Sequence, residues 1–203
     1  MKRLFIVLLS VGLIASSCAK YPQVELDSAK AAVQDVKMAS ADVYAPTEFQ
    51  ALSDSVAKAN VLAETEKAKW FSSYKETNVL LANVTNQVTV VKAKTETRKT
   101  ELKIETEKLL IEVDSLVNAN KILLNKAPKG KDGKAALEAI NTDINVVADA
   151  SNDARILLAK LNYFEADNKI KVAKEKAVSI NNELTTIVSK TAKKAKKVLV
   201  KKK

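Results

Sequence analysis

The feature that most constrains this chain is residues 47–127, which contain neither proline nor glycine. Apolar residues recur there mostly three, four or seven positions apart, which places them on one face of a helix and predicts long paired helices. The apolar positions of this stretch are Phe49, Leu52, Val56, Ala59, Ala63, Trp70, Leu80, Val84, Val88, Val91, Leu102, Leu109, Val113, Leu116 and Leu123. The polar residues 95–100 (TETRKT) interrupt the apolar pattern, so a kink or break of the helix there is compatible with the sequence.

A second helical stretch follows residues 127–133 (APKGKDG), which hold one of the three prolines and two of the three glycines and therefore predict a loop. Folding at this loop pairs one long helical arm, residues 46–126, with a returning arm, residues 134–198. The returning arm repeats its apolar residues at helical spacing. Residues 151–153 (SND) offer a cap for a new helix inside it, although a continuous helix fits equally well.

The segment ahead of the long arm predicts one short amphipathic helix that ends near Tyr44, with apolar positions from Val24 to Val43. Ala45-Pro46 then separates the helices, because proline disfavours helix in the residue before it and suits the first position of the next helix. The predicted fold class is therefore all-α. We expect an elongated antiparallel helical hairpin or coiled coil with a short N-terminal helix.

The composition excludes most catalytic chemistry. The chain has no histidine, one cysteine and no glycine-rich phosphate loop, so the usual general base, metal-ligand clusters and Ser-His or Cys-His pairs are absent. The sequence thus predicts no enzyme, no cofactor and no catalytic or metal site.

The chain begins MKRLFIVLLSVGLIASSC, where Lys2 and Arg3 precede an apolar run that closes in small residues. This layout is typical of a secretory signal peptide, here residues 1–17, and the run is too short to serve as a lasting membrane span. The alternatives are an ordinary secreted protein with an unpaired cysteine, or an N-terminal membrane helix.

Ala15-Ser16-Ser17-Cys18 resembles the lipobox of bacterial lipoproteins, with alanine at a position where that family favours leucine. The resemblance implies cleavage before Cys18 and attachment of lipid to its sulfur. Residues 18–45 would then be the lipidated N-terminus and short helix. It also implies a lipid-anchored protein of the cell envelope. Ala19 and Lys20 carry no acidic retention signal, which favours the outer membrane.

Residues 39–59 (ASADVYAPTEFQALSDSVAKA) resemble small bacterial envelope lipoproteins with an alanine-rich helical domain of unknown function. The Ala45-Pro46-Thr47-Glu48-Phe49 step carries the resemblance, which covers residues 18–69 and implies an outer-membrane or periplasmic protein with no known catalysis. In layout alone the chain also resembles murein lipoprotein, with a cysteine near the start, a helical body and a final lysine. Its ending, KKVLVKKK, does not reproduce that family's terminal motif.

The net charge of +10 is concentrated at the ends, since two positive charges lie in the leader and eight lysines lie in residues 190–203. The body between them is neutral, so we expect no nucleic-acid partner. The tail, whose last part is the lysine-rich end at 199–203, predicts contact with peptidoglycan, lipopolysaccharide or anionic lipid. A solvated helix end is the alternative. The candidate contact residues are Lys193, Lys194, Lys196, Lys197, Lys201, Lys202 and Lys203.

Trp70, Phe71 and Tyr74 form the densest aromatic cluster in the sequence. Large aromatic side chains are most often buried, so we expect this cluster to pack against the first helix. The alternative is a groove for a ligand or a partner.

These features together predict a membrane-anchored structural or scaffolding lipoprotein of the bacterial cell envelope. The alternative is a coiled-coil binding module for an envelope protein assembly. A protein partner of such a module, the membrane leaflet and the oligomeric state are not specified by the sequence.

Overall fold

The computed structural model describes residues 20–128 and 133–201, with side chains as far as Thr191. The described residues contain helices and no strands, which confirms the all-α prediction. The helices are α1 (Gln23–Met38), α2 (Ala41–Tyr44), α3 (Pro46–Lys67), α4 (Lys75–Lys126), α5 (Lys134–Ala159) and α6 (Tyr163–Lys201).

The helices divide at other places than the sequence suggested. The long arm is two helices, α3 and α4, and the returning arm is also two, α5 and α6. α4 runs without interruption through residues 95–100, where a break was compatible with the sequence. α5 is continuous through residues 151–153, which is one of the two alternatives that the sequence left open there. The chain turns instead at residues 68–74 and 160–162.

Residues 68–74, called here the aromatic turn, separate α3 from α4 through local hydrogen bonds. The Glu66 carboxylate accepts a bond from the Lys69 ammonium at 2.5 Å and another from the Ser73 amide at 3.1 Å. The Ser72 hydroxyl donates to the Lys69 carbonyl at 3.3 Å. Serine side chains and backbone that bond locally in this way compete with helix, so the chain turns without proline or glycine.

Residues 160–162 turn the chain between α5 and α6. Leu161 has a φ of 61°, in the left-handed region, and the Asn162 amide reaches back to the Leu157 carbonyl at 2.9 Å. The Asn162 side chain then caps α6: its amide group donates to the Glu165 carboxylate at 2.7 Å, and its oxygen accepts from the Glu165 amide at 3.5 Å. Asn162 and Glu165 thus resemble a capping box, the sequence pattern that marks this helix start.

The N-terminal helix also ends earlier than Tyr44. Ser40 adopts a left-handed conformation with a φ of 65°, which ends α1 at Met38 and sets α2 apart as a single turn of helix. Pro46 begins α3, as the Ala45-Pro46 step predicted.

The chain forms two compact units. Unit 1 comprises Met1–Ala39 and Thr47–Val91, of which residues 1–19 lie outside the described part. Its core uses the predicted apolar stripe, with fully buried Leu26, Val36 and Leu52 beside small alanines such as Ala59. Alanine lets helices approach closely.

Unit 2 comprises Ser40–Pro46 and Lys92–Lys203. The Asp114 carboxylate, on α4, accepts from the Ser151 hydroxyl of α5 at 2.9 Å and pairs with Arg155 one turn later. Nearer the connecting loop, Leu124 and Leu137 line one surface depression. The two helices therefore run antiparallel about residues 127–133, as the hairpin predicted, although residues 129–132 of that loop lie outside the described part.

The third long helix of unit 2, α6, runs antiparallel to α5 and parallel to α4. Ion pairs mark both directions: Lys169 with Asp153 and Lys176 with Asp143 join α6 to α5. Two pairs join α6 to α4, and they are Glu105 with Lys171 at 2.8 Å and Glu112 with Lys174 at 2.5 Å. Because the residue numbers increase along both helices from one pair to the next, α6 and α4 run parallel. The returning arm is thus a second hairpin, which closes a three-helix core around Val113, Ile144 and Ile170.

A buried asparagine fixes the register of α4 against α6. The side-chain amide group of Asn120 donates to the backbone carbonyl of Ala177 at 2.8 Å, and its side-chain oxygen accepts from the side-chain amide group of Asn181 at 2.8 Å. Asn120 is 1% exposed and lies among aliphatic side chains. Because one helical step of slippage would leave this amide unpaired in an apolar core, the pair specifies the alignment of the two helices.

We expect Asn120→Asp to destabilise unit 2 by more than about 2 kcal/mol at neutral pH, because it removes the donor to Ala177 and buries a charge. Asn118 is exposed on the same helix, so Asn118→Asp should change the free energy of unfolding by less than about 0.5 kcal/mol. Denaturant titration followed by circular dichroism compares the two variants. Equal effects would show that Asn120 does not fix the register.

Candidate functional site

Three helix ends of unit 1 meet at Tyr21. The Tyr21 hydroxyl donates to the Glu64 carboxylate, near the end of α3, at 2.5 Å. Its ring meets the ring of Tyr74, just ahead of α4, edge to face with centroids 5.6 Å apart. The Lys67 ammonium lies 4.9 Å from the Tyr21 ring centroid. We call this cluster of Tyr21, Glu64, Lys67 and Tyr74 the Tyr21 end of the unit.

The contact with Glu64 raises the pKa of Tyr21 to about 12, first because the phenol donates to the carboxylate and then through loss of solvent and the charge of Glu64. A folded-state pKa above the unfolded value near 10 means that the protonated phenol favours the folded state. Tyr21 therefore contributes stability below pH 10, and this contribution disappears as the pH rises from 10 to 12.

We expect Tyr21→Phe to lower the free energy of unfolding at pH 8 because it removes this bond. The difference from the wild type should shrink between pH 10 and about 12, as the wild-type phenol ionises. Chemical denaturation at several pH values measures the difference. Tyr163→Phe is the control, since Tyr163 is partly buried at the start of α6. A pH-independent difference for Tyr21→Phe would contradict the role given to the bond.

The aromatic turn exposes two of its three aromatic side chains. Trp70 is 92% exposed and Phe71 is 86% exposed, whereas Tyr74 is buried. The expectation of core packing is therefore correct for Tyr74 and wrong for Trp70 and Phe71. The reason is the turn itself: α3 ends at Lys67, so the two residues leave the helical stripe that would have buried them. The Ser72-Ser73 pair was the sequence signal for this turn.

A groove of about 610 Å³ runs between α1 and α4 within unit 1. Its lining is aliphatic or small and polar, with Glu25 as the one charged residue. Such a lining suits an apolar chain segment better than an ionic ligand. The lining residues are Val24, Glu25, Ser28, Ala29, Ala32, Asn78, Leu81, Ala82, Val84, Thr85, Val88 and Thr89.

Several charged side chains of unit 2 pair across helices, beside other pairs that lie within one helix. Hydrogen bonds from Lys171 and Lys174 lower the pKa of Glu105 and Glu112, respectively. Side chains of these pairs are more than a third exposed, so solvent screens the attraction within each pair. They align the helices. Lys169 and Lys176, which pair with α5, border an apolar depression of about 380 Å³ between α5 and α6.

The residues that the sequence singled out for attachment lie beyond the described side chains. Cys18 precedes residue 20, and Lys202 and Lys203 follow residue 201. The other candidate lysines belong to α6, where only the backbone is described, and they are Lys193, Lys194, Lys196, Lys197 and Lys201. Lipidation and anionic contact therefore stay predictions.

The described part of the chain contains neither a membrane span nor a metal-binding group of side chains. None of its helices has both the length and the apolar character needed to cross a bilayer. Within residues 20–128 and 133–201, histidine, cysteine, aspartate and glutamate side chains form no group of three that could hold a metal ion.

Comparison with known protein families gives a match over part of the chain. Residues 24–106, less than half of the chain, match the family model of a domain of unknown function, DUF4398. This segment begins at α1, includes the groove and the aromatic turn, and ends within α4. No curated protein and no solved structure matches the chain.

Proposed function

We propose that the protein is a structural lipoprotein of the bacterial cell envelope, held by lipid on Cys18 and lodged in the outer membrane. The observation that carries the proposal is the leader followed by Cys18, which lies only three residues before Tyr21, whose hydroxyl bonds to Glu64 in unit 1. The signal peptide accounts for export, and the cysteine accounts for retention at a membrane.

The position of Tyr21 supports a close attachment. Tyr21 is three residues from Cys18, a distance of chain that reaches at most about 11 Å. Because Tyr21 bonds to α3 and contacts Tyr74, an acyl anchor on Cys18 would hold the Tyr21 end of unit 1 beside the bilayer. So short a connection keeps unit 1 close to an acyl anchor, because the reach of a linker grows with its number of residues. The short connection favours a structural role at the membrane surface.

We expect Cys18→Ser to abolish incorporation of labelled fatty acid and to leave the precursor uncleaved in a bacterial host. The change removes the thiol that would form the thioether. Mass spectrometry of the wild-type protein extracted from membranes should show added acyl chains on the peptide that begins at Cys18. Ser17→Ala is the matched control, because it keeps a small residue before the cysteine and should process normally. Normal maturation of the Cys18→Ser protein would refute the lipoprotein proposal.

The lysine-rich tail provides the second contact in this proposal. Eight lysines in residues 190–203, with no acidic residue among them, would attract peptidoglycan carboxylates, lipopolysaccharide phosphates or anionic lipid. Contact at both ends of the chain would make the protein a spacer between the membrane and another envelope component.

Truncation after Ser189 should abolish co-sedimentation with purified cell wall or anionic vesicles, because the remaining body has no net charge. Binding by the intact chain should fall as salt rises, since the screening length shortens from about 10 Å at 0.1 M to about 3 Å at 1 M. Assays with lipid-free protein remove the contribution of the anchor. Equal binding by the intact and truncated chains, or binding that does not change with salt, would show that the tail is only a solvated helix end.

The groove between α1 and α4 favours the second candidate function, a coiled-coil binding module. It lies within the residues matched by the family model, and an amphipathic helix of a partner could lay its apolar face there. A photoreactive amino acid at Ser28, in the groove, should then capture one defined protein in intact cells. The same probe at Val61, exposed on α3, is the control. Capture of nothing at Ser28 favours the structural role alone.

A further inference from the structure

The exposed pair Trp70 and Phe71 is the least explained feature of unit 1. Burial of such large side chains is strongly favourable, yet both stand almost fully in solvent at the same turn. They are adjacent in sequence and exposed at one end of the unit, so they form a compact apolar projection. Exposed apolar projections of this kind mark surfaces that become covered.

The turn that carries them is held by specific bonds. Glu66 binds both Lys69 and the Ser73 amide, and its pKa is lowered mainly by the bond from Lys69. At the end of the turn, Tyr74 is buried against Tyr21. The two exposed residues therefore lie between fixed points, so the entropic cost of presenting them is small.

The location of the pair identifies what covers it. Tyr74 lies four residues after Trp70 and contacts Tyr21, and Tyr21 lies three residues after Cys18. The apolar projection and the proposed lipid attachment thus belong to the same end of unit 1. Tryptophan and phenylalanine suit the boundary between lipid headgroups and acyl chains.

We infer that the aromatic turn is a second membrane anchor, in which Trp70 and Phe71 insert into the interfacial layer of the bilayer that holds the Cys18 lipid. The inference rests on the proposed lipoprotein function for its choice of occupant. An acyl anchor alone leaves a protein free to swing about its cysteine, whereas a second contact fixes the orientation of unit 1 on the membrane.

The charges beside the turn indicate what kind of insertion this is. Residues 64–76 carry three lysines and three glutamates, so this segment has no net charge. Lys67 lies 3.8 Å from Glu64, and Lys69 lies 2.5 Å from Glu66. Insertion is therefore apolar in origin and independent of headgroup charge. It differs in this from contact through the lysine-rich tail, which salt weakens.

Trp70 is the only tryptophan of the chain, so its fluorescence reports on the turn alone. The wild-type protein is purified from membranes, reconstituted into phosphatidylcholine vesicles and compared with vesicles whose acyl chains carry bromine. We expect a shift of the emission to shorter wavelength and strong quenching by the brominated lipid, both unchanged at high salt. We also expect protection of Trp70 from iodide in the water.

The matched control moves the tryptophan to the other end of α1. Met38 is 70% exposed and lies about 22 Å along that helix from Gln23. The double variant Trp70→Phe, Met38→Trp should show no quenching by brominated lipid and should stay open to iodide. Circular dichroism verifies that both proteins are folded alike.

Absence of quenching for Trp70, or equal quenching for the tryptophan at position 38, would overturn the inference. Protection from iodide without quenching by brominated lipid would also overturn it, since it would show that protein covers the turn. Mass spectrometry of the same preparation reports separately whether Cys18 carries acyl chains. An acylated protein with unquenched Trp70 keeps the proposed function and loses this anchor. For a protein without acyl chains, quenching on added vesicles still decides the role of the turn.

Discussion

The bond from the Tyr21 hydroxyl to Glu64, with the edge-to-face contact of Tyr21 and Tyr74, is the interaction on which the account of unit 1 depends. It ties the first described residues to the end of α3 and to the start of α4. Without it, Tyr21 would not be tied to the aromatic turn, and the position of that turn relative to a lipid anchor would be undefined. With it, one end of the unit holds both the proposed acyl chains and the exposed Trp70 and Phe71.

Unit 2 relies on a different constraint. Its helices are aligned by buried amide groups and by half-exposed ion pairs. The Asn120 pair selects one register for α4 against α6 at some cost in stability, because an aliphatic side chain would bury more apolar surface there. These features suit a part of the molecule that must keep its form and carry a lysine-rich tail.

Helical periodicity predicted much of this fold. The stripe that includes Leu52, Val84 and Ile144 lies in the cores, and the Ala45-Pro46 step begins a helix as expected. The turns were less predictable, because they depend on polar capping without proline or glycine. The available signals for the two turns were Asn162 with Glu165 and the Ser72-Ser73 pair. Each signal was outweighed by the apolar pattern, which continues on both sides of the turn. The turn at residues 160–162 divides the returning arm into α5 and α6, so the second hairpin of unit 2 was not predicted.

The candidate sites were predicted unevenly for a physical reason. A lipidation motif and a run of lysines are linear signals, so the sequence alone indicates Cys18 and the tail. The exposure of Trp70 depends on where α3 ends, and the groove depends on the distance between α1 and α4. Neither the end of α3 nor the distance between α1 and α4 can be predicted from the spacing of apolar residues. Sequence reasoning therefore assigned the aromatic residues to the core, where such residues usually lie.

The central claim is that the Tyr21 end of unit 1 faces the membrane in the living cell. Fatty acids that carry a photoreactive group can be incorporated into the phospholipids of a bacterial host that makes the wild-type protein. Illumination followed by peptide mass spectrometry then identifies the residues in contact with lipid. The account predicts lipid adducts on residues 68–74 and none on the peptide that contains Met38. Adducts on the Met38 peptide, or none on the aromatic turn, would contradict it.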